Sequence, residues 1–292
     1  MKRHKGDLNV DKLEHLLNVS IKYHIEKIKY NSYFKLLNVS IINEVHAALN
    51  DIHEKLGGTP EIIIQFYDKE SPKYDTFVDS MIGELSVSLR KSLETVKKAN
   101  VYYRLSFFSE YMENEDLANF LMESYNQEFW DYLEMSYIRL ASTWDRIGGL
   151  LEFCFFNIRQ YDRDGFLSTI RKIHVNIVPM YLDLQKSESW KRLWSYSKSE
   201  KSDGLKWLLT RRNIVIHQTG IQELEDFKVL EEGDSFSKYN HILDKTVKEK
   251  LKPMPKDKEL GKLVKHLEKT FRIFRDIKVI CNMGVKVIPR IK

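Results

Sequence analysis

The sequence predicts an all-α protein, a helical bundle carrying an additional helical region on its N-terminal side, and three observations point there. Only 12 Gly and 6 Pro occur among 292 residues, too few turn formers for an all-β or doubly wound fold. Apolar residues recur at spacings of three and four along most of the chain, the period of a helix with one buried face. A single run with β character, Glu61–Tyr67, is short and stands alone. At this length a large core can be buried. The chain divides into an N-terminal helical region, 1–114, and a helical bundle, 115–292.

In order, the first amphipathic helix runs from Asp11 to about Lys29 through Leu13, Leu17, Ile21 and Ile28. The second spans about Ser32 to Leu56, where Gly57-Gly58 stops it. The hexapeptide Leu-Leu-Asn-Val-Ser-Ile occurs at 16–21 and 36–41, but without a third copy or matching flanks it is no repeat array. Ser71-Pro72 introduces a helix from about Lys73 to Asn100, and a further helical piece ends near Asn114. From Glu115 a long stripe follows, with Leu133, Tyr137, Leu140, Trp144, Ile147, Leu151 and Cys154 on one side. Gly148-Gly149 in its middle implies a close helix approach or a kink.

Asp162–Gly165 reads as a loop, then a helix from Phe166 to about Lys186 that Pro179 bends, then a basic aromatic connection from Ser187 to Ser202. Ser202-Asp203 is an N-cap pair for a helix ending at Gly220. Glu223–Asp234 is an acidic loop, Lys252–Lys256 a linker, and a last helix runs from Asp257 to about Met283 with Leu260, Leu263, Leu267, Phe271 and Phe274 inward.

Charge is uneven. Between Lys186 and Arg212 there are eight Lys/Arg against three Asp/Glu, and from Lys245 to Lys292 fifteen against five. With a net charge of +5, the rest of the chain is therefore acidic, and a polyanion is the expected partner of the basic segments. No apolar run reaches the roughly 20 residues of a bilayer span, so no membrane partner is expected. The basic start Met1–Lys5 lacks a following apolar stretch, and Cys154 and Cys281 fit reduced core thiols, which together suggest a cytoplasmic protein. Gly-rich phosphate loops, His-Glu-x-x-His and Cys-x-x-Cys are absent, and no metal or cofactor is expected.

The most informative stretch is Arg212-Asn213-Ile214-Val215-Ile216-His217. Leu205, Leu209, Arg212, Ile216 and Thr219 form one helical stripe, and Arg212 interrupts it with a group that stays charged at any accessible pH. It therefore requires a carboxylate, a phosphate or a wet cleft. Helices turn about 100° per residue, which puts Arg212 and His217 roughly 140° apart, whereas Asn213 and His217 share a face. Such geometry favours a site shared by two copies across a two-fold axis.

The Arg-x4-His spacing with Asn directly after the Arg, late on an apolar helix, resembles the signature of HEPN domains, over roughly Glu115 to Gly284. The resemblance implies a HEPN-like up-and-down helical bundle and a homodimeric, metal-independent endoribonuclease. It further implies that His217 moves a proton at the ribose 2′-hydroxyl or the leaving oxygen, and that Arg212 holds the scissile phosphate, roles that suit these side chains. Asn213 would orient His217 or bind the backbone, and Asp145 would be the polar residue such domains add from an earlier helix, or a structural partner of Arg212. Arg211, together with Lys206, Lys201 and Arg192, is expected to anchor RNA phosphates. Thr219 stands where some members carry a modified Tyr. Toxin–antitoxin or antiviral defence, with an antitoxin or regulatory protein as partner, is the implied setting. The alternative is a non-catalytic helical module that binds RNA or protein, in which Arg212 is structural.

Overall fold

A helix of 41 residues, Glu115–Phe155, is the axis around which the other elements assemble. The computed structural model describes residues 39–57, 74–106, 115–156, 165–217 and 254–287. Among them the helices are α1 (Val39–Gly57), α2 (Tyr74–Leu105), α3 (Glu115–Phe155), α4 (Phe166–Asn176), α5 (Leu182–Lys186), α6 (Glu188–Lys198), α7 (Leu205–His217) and α8 (Lys256–Val287). The protein is an all-α bundle. Among the described residues no helix is long and apolar enough to cross a membrane.

Central α3 is buried on more than one side, since Trp130, Tyr137, Trp144 and Leu150 are all essentially inaccessible. A helix apolar on several faces needs neighbours on each of them. On one side α2 runs antiparallel to it: Ser88 and Ser92 both reach Thr143 (2.8 and 3.1 Å), and Tyr102 stacks on Tyr132 with centroids 5.4 Å apart. Opposite, α8 runs in the same direction as α3, with Trp144 Nε1 donating to Thr270 Oγ1 at 3.2 Å. Further along the same pair Cys281 meets Cys154. Both thiols are free and buried, and that of Cys281 is pushed well up by its hydrogen bond with Cys154 and by burial. Truncating a core aromatic such as Trp144 to Ala costs about 3–5 kcal/mol in sites of this kind.

Helix α1 lies along α8, held by Glu44 with Arg275 and by Asp51 with Lys278 (3.3 Å). Its buried residues belong to the same continuous apolar core as those of α3 and α8. The N-terminal helices thus pack onto the bundle rather than standing apart from it.

Gly148 permits the close approach that the sequence suggests. A Cβ there would sit 2.6 Å from Phe166 Cα, so only glycine lets the start of α4 lie against α3. Gly149 has nothing within 4 Å, and the helix continues through both residues without a break.

Two expectations are corrected. The helix foreseen over 166–186 is two helices: α4 ends at Asn176, the chain turns through Ile177–Met180, and α5 starts at Leu182. Pro179 has no N–H to donate and disfavours helix at Val178, so it breaks the helix instead of bending it. The connection foreseen over 187–202 contains α6. Ser187 Oγ accepts from Trp190 N at 3.3 Å and caps it, while Trp190, Leu193 and Tyr196 turn inward three residues apart. The expected helix at 11–29, the run Glu61–Tyr67, the stop at Gly220 and the acidic loop 223–234 lie outside the described residues.

Candidate functional site

Helix α7 follows a turn at Ser202–Gly204 that α8 grips through Lys269, whose Nζ donates to Asp203 O (3.0 Å) and Oδ2 (3.2 Å). It runs antiparallel to both α3 and α8. Its buried residues are Leu205, Leu208, Arg211 and Ile214, three apart. The stripe expected through Leu209, Arg212 and Ile216 is therefore turned by one residue: Ile216 is 45% exposed and Arg212 partly exposed. A charge does sit in the core face of this helix, but it belongs to Arg211.

Arg211 is 3% exposed and Glu259, in the first turn of α8, 0%. Their Nε and Oε1 atoms are 3.3 Å apart. Tyr137, from α3, donates its hydroxyl to the same Oε1 at 2.8 Å. The guanidinium lies 5.3 Å from the centroid of Trp207, and Trp207 stacks on His266 at 5.2 Å with planes 2° apart. His266 in turn donates from Nε2 to Ser202 O at 3.0 Å, which leaves Nδ1 to accept from the Tyr196 hydroxyl at 3.4 Å. Burial drives the His266 pKa down to about 4. Burial also raises that of Glu259, outweighing the opposite pulls of Arg211 and the Tyr137 hydroxyl, and puts Tyr137 well above its usual range. The phosphate-anchor role expected of Arg211 does not fit this position, because the guanidinium is sealed among α3, α7 and α8.

On the other side of α7 a cavity of about 210 Å³ opens between α3, α4 and α7. Asp145, Ser168, Arg212 and Asn213 supply its polar groups, and Leu205, Leu209 and Phe166 are among its apolar walls. Arg212 Nη1 donates to Asn213 Oδ1 at 2.9 Å. Asp145 Oδ1 accepts the backbone N–H of Phe166 at 3.4 Å, in the first turn of α4, where a carboxylate is favoured. Asp145 and Arg212 line the same cavity without an ion pair between them, so the closed contact foreseen as one alternative is not formed. His217 ends α7, and its side chain lies outside the described residues.

The expected surface cations are distributed differently. Lys206 pairs with Glu200 at 2.9 Å, and Arg192 makes a two-pronged contact to Asp276 at 2.5 and 3.1 Å. Lys201 is exposed in the turn before α7. Arg275 and Lys278 of α8 are likewise engaged by acids of α1. The folded chain thus neutralises part of the positive charge that the linear sequence concentrates. No cluster of three or more His, Cys, Asp or Glu suited to a metal ion occurs among the described residues.

Helical periodicity does not mark Glu259, Tyr137, Trp207 and His266 as a unit. A signal for them exists in α8, where Glu259, Leu263, His266 and Thr270 are spaced four, three and four and form a buried row that is largely polar. Such a row requires partners across the interface. No protein-family model, curated protein or solved structure matches the chain.

Chemically, the cavity combines a planar fork of donors, an amide and a carboxylate acceptor. A guanidinium of this kind binds two phosphate oxygens at once. A carboxylate beside it accepts a hydroxyl proton or orients a donor.

Proposed function

We propose that the protein is a metal-independent endoribonuclease of the HEPN type, acting in the cytoplasm as a homodimer. The observation that carries this reading is the shared cavity: Arg212 and Asn213 of α7 face Asp145 of α3, and Arg212 makes no ion pair with that acid. An arginine used only to balance a carboxylate would close onto it. Arg212 instead stays open to a ligand.

In the proposed reaction the ribose 2′-oxygen attacks phosphorus and the 5′-oxygen leaves, giving a 2′,3′-cyclic phosphate and a 5′-hydroxyl. One base takes the 2′-hydroxyl proton and one acid returns a proton to the leaving oxygen. His217 from each of two copies supplies these roles, Arg212 carries the phosphate charge, and Asn213 orients the neighbouring groups. RNA is the substrate, and an antitoxin or regulatory protein in a toxin–antitoxin or antiviral setting is the proposed biological partner.

A second reading, a non-catalytic module that binds RNA or protein, draws on one observation. Asp145 already serves α4 by accepting from Phe166 N, so its carboxylate has structural work without any substrate.

The experiment is incubation of the pure protein with RNA in EDTA, followed by analysis of the product ends. Cyclic phosphates that vanish with His217→Ala, a loss of roughly 10²–10⁴-fold, are expected. A folded His217→Ala protein that cleaves at the unaltered rate eliminates the catalytic assignment.

A further inference from the structure

Arg211 and Arg212 are consecutive, so a rotation of α7 by about 100° would bring Arg212 into the interior in place of Arg211 and carry Arg211 out of it. Apolar spacing alone does not choose. Leu205 with Leu208 and Leu205 with Leu209 are equally good starts of a buried stripe. What distinguishes the two settings is the acceptor: Glu259 is 0% exposed, its Oε1 faces Arg211 at 3.3 Å, and Tyr137 fixes that oxygen with a 2.8 Å hydrogen bond. The other oxygen, Oε2, has no hydrogen-bond partner among the described residues. A buried carboxylate in this state strongly prefers a cation opposite, and removing one member of such a pair is far more disruptive than replacing both.

We propose that Glu259 is a positioning residue that sets the rotation of α7, drawing Arg211 inward and thereby turning Arg212 and Asn213 into the cavity between α3 and α4. The proposal rests on the ribonuclease reading for its consequence, but its geometry is testable without RNA. Buried ion pairs contribute little net stability compared with apolar replacements, and their best-attested use is to select one register among several. Here the selected register is rotational. Glu259 touches no substrate and acts through Arg211 and the helix that carries it.

The test uses thiol accessibility as its readout, because both native cysteines are buried and free. Ile216 is 45% exposed and Ile214 3%, so a cysteine at 216 should react with maleimide much faster than one at 214. Glu259→Gln keeps the shape and an acceptor for Tyr137 but removes the charge. It is expected to narrow the 216-to-214 reactivity ratio at least tenfold and to lower RNA cleavage by a similar factor. Adding Arg211→Leu, which needs no acceptor, should restore the ratio and bring cleavage back to within about threefold of the parent. Should Glu259→Gln fail to fold, Tyr137→Phe removes only the hydrogen bond on Oε1 and should narrow the ratio about threefold. An unchanged ratio in whichever of these single variants is folded overturns the proposal. So does a double variant with its ratio restored and its cleavage still lost, since Arg211 or Glu259 would then act on substrate directly. If the parent protein cleaves no RNA, the functional reading fails while the reactivity ratio still decides the positioning role.

Discussion

Two neighbouring regions of the bundle treat two adjacent arginines in opposite ways. Between α3, α7 and α8, Arg211 is enclosed with Glu259, Tyr137, Trp207 and His266, linked by an ion pair, hydrogen bonds and ring stacking. Between α3, α4 and α7, Arg212 lines a cavity beside Asp145 and, among the described residues, makes its hydrogen bond to the next residue, Asn213. The closed region has lost its water, so a charge there is tolerable only with a partner at contact. The open one keeps solvent, so a charge can wait for a ligand. Identical chemistry one residue apart thus becomes a structural tie in one place and, in the function we propose, a binding group in the other.

The largest expected effect breaks the closed region. Arg211→Ala strands Glu259 without its counter-charge and should cost about 3–5 kcal/mol, a fall in thermal midpoint on the order of 10 °C. A cost below roughly 1 kcal/mol would mean that the pair is not what holds α7 to α8.

Acid should weaken the same region. His266 is neutral and buried with its pKa lowered to about 4, while the unfolded chain binds that proton near the ordinary histidine value of 6.5. A depressed folded pKa leaves the full contribution to stability above about 6.5 and removes it as pH falls toward 4. Over that window the loss amounts to about 3 kcal/mol. Glu259 has the opposite sign, since its raised folded pKa favours the folded state at low pH and loses that contribution as pH rises through it. Urea midpoints between pH 4 and 7, compared with those of His266→Asn, isolate the histidine. Superimposable profiles for the two proteins would contradict its assignment as a buried neutral group.

On the open side effects on stability are smaller. Asp145→Ala removes the acceptor at the start of α4 and should cost about 1 kcal/mol, the size of a helix cap. Asp145→Asn keeps an oxygen there and should retain the midpoint. If Asp145 also serves the reaction, Asp145→Asn lowers cleavage all the same. If it only caps the helix, the rate survives. Smallest of all, Arg212→Ala should leave stability within about 0.5 kcal/mol, as for a surface substitution.

Much of this fold is legible in the sequence. The stripe Leu133–Tyr137–Leu140–Trp144 announces α3 because one period of three and four persists over many turns, and Gly148 marks the close approach of α4. Short elements escape such reading: α6 offers only Trp190, Leu193 and Tyr196 among basic and polar residues. Arg212 is marked by its place in an apolar stripe and Asn213 and Asp145 by the family resemblance, and all three line one cavity. Which arginine is buried could not be read locally. Both stripes of α7 satisfy helical periodicity, and the deciding acceptor, Glu259, comes from another helix far along the chain. Periodicity reports that a face is buried, whereas a buried charge is settled by what stands opposite.

The division of labour between the two arginines is tested most directly by cleavage of an end-labelled RNA in EDTA with Arg212→Ala, its thermal midpoint recorded on the same preparation. The account predicts a midpoint matching that of the unmodified protein, a cleavage rate lower by roughly 10²-fold or more, and no accumulation of 2′,3′-cyclic phosphate ends. An Arg212→Ala protein that cleaves at the full rate, or one that unfolds as Arg211→Ala is expected to, would contradict it.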